Sequence, residues 1–261
     1  MLVGDLDCSG DLTPAISLED GAQLDLAGFT LTGGESTGVT CLGDCTIVGG
    51  GGTITGAQLA GVAAAFADVV VSDVSISGNG DSGIAAWLKG EVTATNVTTN
   101  DNGWGGNGGG GIEARVLVAT GCTATGNYRS GFYGEKDVTV SGSTSSGNRR
   151  GVYGHRRIVV NNSTVTNNEH GIYAYKRVEI AGSVVTDNPS GGAWSDRKLV
   201  ISSSTFSDNS SDPYCLTVPG WLCADIVSLR RPLVNVVSCE TSASFNYRDD
   251  SIGTWGVCAN D

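Results

Sequence analysis

Between Gly111 and Lys198, apolar and polar residues alternate in short runs that return about every twenty positions. The clearest copies read GFYGEKDV from Gly131, GVYGHRRI from Gly151, GIYAYKRV from Gly171 and GAWSDRKL from Gly192, with a weaker GIEARVLV from Gly111. Each strong copy places an apolar residue, an aromatic and a small residue after its glycine. Two further alternating runs follow, such as IVVN from Ile158 and STVTNN from Ser163. Three period-two runs per repeat, separated by Gly, Asn, Asp and Ser, predict three strands per coil. Helix is disfavoured because β-branched residues dominate the runs and glycines interrupt every helical window. The predicted fold is all-β: a single-stranded parallel β-helix (a solenoid) of about eight or nine coils of ~20 residues each, its right hand taken by analogy with similar folds and not from the spacing.

Earlier, less even copies start at Ala22 (AQLDLAGFTLTGG), Gly38 (GVTC), Gly61 (GVAAAFADVVV) and Gly83 (GIAAWLKGEV). The β-helix is therefore expected over 1–209, with 1–21 as N-terminal cap or first coil. After Asn209 the pattern lapses, and 210–261 carries Pro213, Pro219, Trp221 and four of the eight cysteines. A terminal coil leaves open strand edges, so a disulfide-containing C-terminal cap is expected there. An Asn precedes each strong copy (Asn127, Asn148, Asn168, Asn188) and is expected to stack at one corner, its amides satisfying backbone groups.

Composition narrows the class. The chain has 261 residues, net charge −12, 40 glycines and 8 cysteines. Abundant glycine without a G-X-Y period, among frequent β-branched runs, fits a turn-dense solenoid better than disorder. No stretch is apolar enough to span a membrane, and no N-terminal signal pattern is visible. An even cysteine count points to an oxidising compartment, hence a secreted or periplasmic protein. Cys215/Cys223 and Cys239/Cys258 are plausible pairs in the cap, one bridge among Cys8, Cys41 and Cys45 would pin the first coil, and Cys122 reads as a buried small hydrophobe. Zinc fits poorly, because Cys41-x3-Cys45 has no matching His/Cys pair nearby.

Charge is uneven. Eleven carboxylates and no Lys or Arg precede Lys89, whereas ten cations against six carboxylates occupy 129–198. Aligned on the repeat glycine, the second following residue is Tyr133, Tyr153, Tyr173 or Trp194. The fourth is Glu135, His155, Tyr175 or Asp196, and the fifth Lys136, Arg156, Lys176 or Arg197. Rungs of a parallel stack lie about 4.8 Å apart, so these become outward-facing columns. Like charges directly opposite one another destabilise a sheet, so a column of cations makes sense where an anion lies across it. Aromatic and cationic ladders side by side suit a polymer with flat sugar faces and carboxylate or sulfate groups. Arg156 or Lys176 would neutralise a uronate carboxylate; His155 or one of Tyr153, Tyr173 and Tyr175 would take the C5 proton, and another would act as acid. Tyr133, Glu135, Lys136, Trp194, Asp196, Arg197, Arg129, Arg150 and His170 complete the expected substrate-binding set.

The repeats NxxxGFYGEKDVTVSGS and NNEHGIYAYKRVEIAGS resemble the parallel β-helix repeats of the pectate-lyase-like superfamily, closest in style to mannuronan C5-epimerase and alginate lyase modules. The resemblance covers about residues 20–209. It implies a polyuronate lying across the outward face of the GFYGE, GVYGH and GIYAY strands, with Tyr153, His155 and Arg156 as the catalytic positions. It departs in lacking the epimerase motif Asp-Pro-His-Glu, the polygalacturonase Asn-Thr-Asp and Gly-His-Gly sets, and a calcium-carboxylate cluster, so no cofactor is expected. The expected partner is an acidic polysaccharide rather than nucleic acid, and the protein is expected to be a monomer. Three alternatives stand beside it: a non-catalytic glycan-binding solenoid, a glycoside hydrolase using Glu113 and Glu135, and an ice-binding solenoid. The last rests on the Thr ladder Thr123-x-Thr125, Thr144-x-Ser146, Thr164-x-Thr166, Val184-x-Thr186 and Thr205-x-Ser207.

Overall fold

A computed structural model describes residues 1–104 and 108–209 and, beyond them, the backbone of five short strands between 226 and 252. Among the described residues every regular element is a strand, and three faces wind into a parallel solenoid of about nine turns. Equivalent positions Ile16, Val39, Val62, Ile84, Ile112, Phe132, Val152, Ile172 and Ala193 pair in sequence on face 1. Face 2 follows after a corner, with strands such as Arg157–Asn161, Arg177–Ala181 and Lys198–Ser202. In three central turns the two faces share one long strand, Ile84–Thr95, Ile112–Thr120 and Ser130–Ser141. Face 3 is an eleven-stranded sheet of short strands such as Thr144–Ser146 and Thr164–Thr166.

Alternation along each strand sends one set of side chains inward. Phe132, Val152 and Ile172 fill the lumen from face 1, Val140, Val160 and Ile180 from face 2, and Val165, Val185 and Phe206 from face 3, all essentially inaccessible. Burying each such side chain stabilises the fold by about 1.5–3 kcal/mol. Corners are made by left-handed residues. Asn96, Gly121, Gly142, Asn162, Gly182 and Ser203 have φ between 48° and 63° at equivalent positions, which explains why Gly and Asn return with the period.

The asparagine corner forms as expected and reaches further. Asn79, Asn102, Asn127, Asn148, Asn168, Asn188 and Asn209 are buried, and each of the first six donates its amide Nδ2 to the next one's Oδ1 at 2.7–3.2 Å. At another corner Ser143, Ser163, Ser183 and Ser204 accept backbone N–H bonds from the preceding turn. Both ladders satisfy buried backbone groups that no strand partner reaches.

Cys41 and Cys45 form the early disulfide, while Cys8 stays a thiol and Cys122 is a buried thiol. Within the segment expected as a cap, Ile226–Ser228, Leu233–Asn235 and Ser238–Cys239 continue the parallel stack on Ala193–Ser195, Lys198–Ser202 and Thr205–Ser207. Ser244–Asn246 pairs antiparallel with Ser251–Ile252. The cap cysteine pairings fall outside the described residues.

Candidate functional site

Face 1 places Glu113, Tyr133, Tyr153, Tyr173 and Trp194 in one outward column. Tyr133 and Tyr153 stack with centroids 5.3 Å apart and planes 21° from parallel. Tyr153 and Tyr173 are also 5.3 Å apart, and Trp194 meets Tyr173 edge-on at 4.2 Å. Two residues further along the chain, His155 stands edge-on to Tyr153 at 5.4 Å and to Tyr175 at 5.3 Å. Its Nε2 lies 3.2 Å from the Tyr153 hydroxyl, which also donates toward the Tyr175 hydroxyl at 3.4 Å.

Against this ladder lies a pocket of about 350 Å³, lined by Glu113, Arg129, Ser130, Tyr133, Arg150, Tyr153 and His155. The Arg150 guanidinium sits 4.5 Å from the Tyr153 ring centroid, a cation–π contact worth about 0.5–2 kcal/mol. Ser130, Arg150 and His170 form the neighbouring column, just before the repeat glycine. Cations therefore reach the pocket from the start of face 1, Arg150 as the first residue of its strand and Arg129 just before Ser130.

Burial dominates the electrostatics. The Glu113 carboxyl is buried and pushed above the usual carboxylate range by desolvation; the Ser82 hydroxyl, donating at 3.1 Å, and the Arg129 charge oppose the shift, and Asp81 adds to it. Asp81 is raised as well, again chiefly by burial. Tyr133 is raised by burial and then by Glu113 and Glu135, while Tyr153 and Tyr173 are raised by burial and then by Tyr175. These phenols thus stay protonated and act as donors.

The turn from Ile84 to Ile112 is over-long, 28 residues against 20 in the next, and the excess includes a glycine-rich segment. Gly109 and Gly110 within it pack too tightly for any side chain. A Cβ on Gly109 would lie 2.3 Å from Asp81 and Ser82, and one on Gly110 would lie 2.5 Å from the Ser130 carbonyl oxygen and 2.9 Å from Glu113 Oε1. Gly110 thus packs directly beside Glu113 and Ser130, two of the pocket residues.

The remaining expected residues spread along the sheet. Glu135, Arg156, Lys176 and Arg197 are exposed, Lys136 is half-buried, and none of them lines the pocket. Trp194 and Asp196 lie at the far end of the ladder, where burial raises the Asp196 carboxyl against the opposing charge of Arg197. His170 lies 3.4 Å from Glu169, and burial lowers it despite that carboxylate. Arg157 and Arg177 both pair with Glu179 on face 2. Three residues escaped the sequence pattern: Asp81, Ser82 and Trp87, the last hydrogen-bonded to Glu113. The register of Glu113 was available from Gly111 in the weak copy, which puts it in the tyrosine column. Among the described residues no three His, Cys, Asp or Glu side chains gather as metal ligands.

A family model described as a right-handed beta helix region matches residues 14–177. No curated protein and no solved structure matches the chain. The match spans more than half of the chain and coincides with the stacked turns that carry the ladder and the pocket. With its periodic strands, buried asparagine ladder and parallel register, this chain belongs to the right-handed β-helix family.

Proposed function

We propose that this pocket acts on an acidic polysaccharide, removing the C5 proton of a uronate residue in a lyase or C5-epimerase reaction. The observation that carries the proposal is the convergence of Arg129 and Arg150 with the Tyr153–His155 pair in one pocket on an aromatic ladder. A C5 proton is acidic only when the adjacent carboxylate is neutralised, and two guanidiniums supply that charge. The Tyr153–His155 pair takes the proton, and it comes to rest on the imidazole, because burial makes tyrosinate costly whereas imidazole accepts a proton without becoming an anion. Arg156, Lys176 and Arg197, exposed along the ladder, hold the polymer beyond the reacting sugar. Such a protein works outside the cell or in the periplasm. Incubation with alginate, pectate and glucuronan tests the proposal, reading ultraviolet absorbance for unsaturated ends and NMR for inverted C5. Tight binding without product on every polymer would favour a binding solenoid instead. Full activity in a Tyr153→Phe, His155→Ala double variant would sink the residue assignment.

A second reading has its own observation. On face 3 every outward position from Thr30 to Ser207 is Thr or Ser except Asn100 and Val184, a charge-free hydroxyl lattice over nine strands. This regularity supports ice binding, and a thermal-hysteresis measurement decides it. The ordinary preference of Thr for outward strand positions explains much of the same pattern, so the pocket remains the stronger functional feature.

A further inference from the structure

Glu113 has no part in the chemistry above, yet it lines the same pocket. It stands in the tyrosine column one rung before Tyr133 and two before Tyr153, so its Cα lies about 10 Å from that of Tyr153. His155 lies two residues further, about 6.6 Å along the strand. Carboxyl and imidazole make no hydrogen bond to each other, and both line the one pocket with Tyr133 on the rung between them. This arrangement puts an acid on one side of a scissile bond and a base on the other.

We infer that Glu113 is the general acid of this site, giving its proton to the glycosidic oxygen at C4 while the Tyr153–His155 pair removes the proton from C5. The inference rests on the elimination form of the proposed reaction. As the C5–H bond breaks, its electron pair becomes the C4=C5 double bond. The C4–O bond then breaks with its electrons on the oxygen, which takes the Glu113 proton. Glu113 is left as carboxylate and His155 as imidazolium, and exchange with water restores both. The surroundings suit an acid held in its neutral form. Asp81 and the closely packed Gly110 backbone crowd the carboxyl, Ser82 and Trp87 hydrogen-bond to it, and Arg129 is the opposing cation, present to stabilise the carboxylate once the proton has left. The carboxyl's raised pKa agrees with that role.

Leaving-group dependence tests the inference. An oligouronate needs its departing oxygen protonated, whereas the corresponding uronide with fluoride at C4 loses an anion that needs no proton. E113Q keeps the shape of the side chain and cannot supply the proton. Its kcat is expected to fall about 100-fold or more on oligouronate and less than about 5-fold on the fluoride. Equal losses on both substrates, or no loss on oligouronate, would overturn the role of Glu113 while leaving the rest of the site intact. Failure of the wild type to cleave any oligouronate would overturn the elimination reading itself, and this inference with it. Should E113Q not fold, the wild-type pH profile decides. An alkaline limb with the sugar leaving group that vanishes with fluoride supports Glu113, and identical limbs refute it.

Discussion

Replacing Asn148 by Ala removes one rung of the buried corner, and its cost follows from the bonds that rung makes. The Asn148 Oδ1 accepts the backbone N–H of Asn127 at 2.8 Å, the only acceptor that amide has among the described contacts. Its Nδ2 group donates to the Ala124 and Ser146 carbonyls and to Asn168 Oδ1, all at 3.0–3.1 Å. Ser146 O and Asn168 Oδ1 keep other donors, Gly126 N and Asn148 N. A buried amide without a partner costs about 1–3 kcal/mol, and each neutral hydrogen bond lost costs about 0.5–1.5 kcal/mol. About 3 kcal/mol is therefore expected, a large share of the roughly 5–15 kcal/mol available to a domain. Denaturant unfolding of Asn148→Ala beside Thr139→Ala, an outward-facing control on face 2, measures it, and hydrogen exchange at the Asn127 amide locates it. The control should stay within about 0.5 kcal/mol of wild type. Arg149 and Arg150 follow this rung directly, so oligouronate binding should weaken in the same variant. A change below about 1 kcal/mol with Asn127 still protected would refute the claim that the ladder bears the corner's stability.

Further expectations concern the pocket and its surroundings. Gly110→Ala should lower stability by about 1–3 kcal/mol, as overpacking does, and weaken oligouronate binding through Glu113; calorimetry and binding titration read both, and a neutral result would refute the close approach. Glu113 and Asp81 have folded pKa values raised by burial, so their contribution is fully present below the ordinary carboxylate range and is lost as pH rises through the raised values. E113Q should flatten that decline in a stability-versus-pH series. His170 is lowered, so its contribution is present above the ordinary histidine range and is lost as pH falls through the folded value; His170→Gln should remove that acid-side loss. Reducing Cys41–Cys45, which closes a sequence separation of only four, should cost about 2 kcal/mol, visible as earlier melting of the first turns without loss of pocket binding.

Much of the architecture was legible in one dimension. Glycines 131, 151 and 171 are equally spaced, and coils of equal length must stack in register, so the columns Tyr133–Tyr153–Tyr173 and Asn127–Asn148–Asn168 follow from counting. Turn chemistry was equally readable, because only residues at ease with positive φ close these corners. The repeat, the lumen and the aromatic ladder all depend on local spacing and so follow from the order of residues along the chain. The tertiary structure alone decided which charges meet that ladder. Arg156 and Lys176 follow face 1 and are exposed, whereas Arg129 and Arg150 stand at its start and line the pocket. Parallel register sets Asp81 and Ser82 on the rung beside Glu113, and Gly109 and Gly110 of the over-long turn pack against all three. An insertion breaks the period, and where periodicity ends the positions of side chains depend on packing between distant turns.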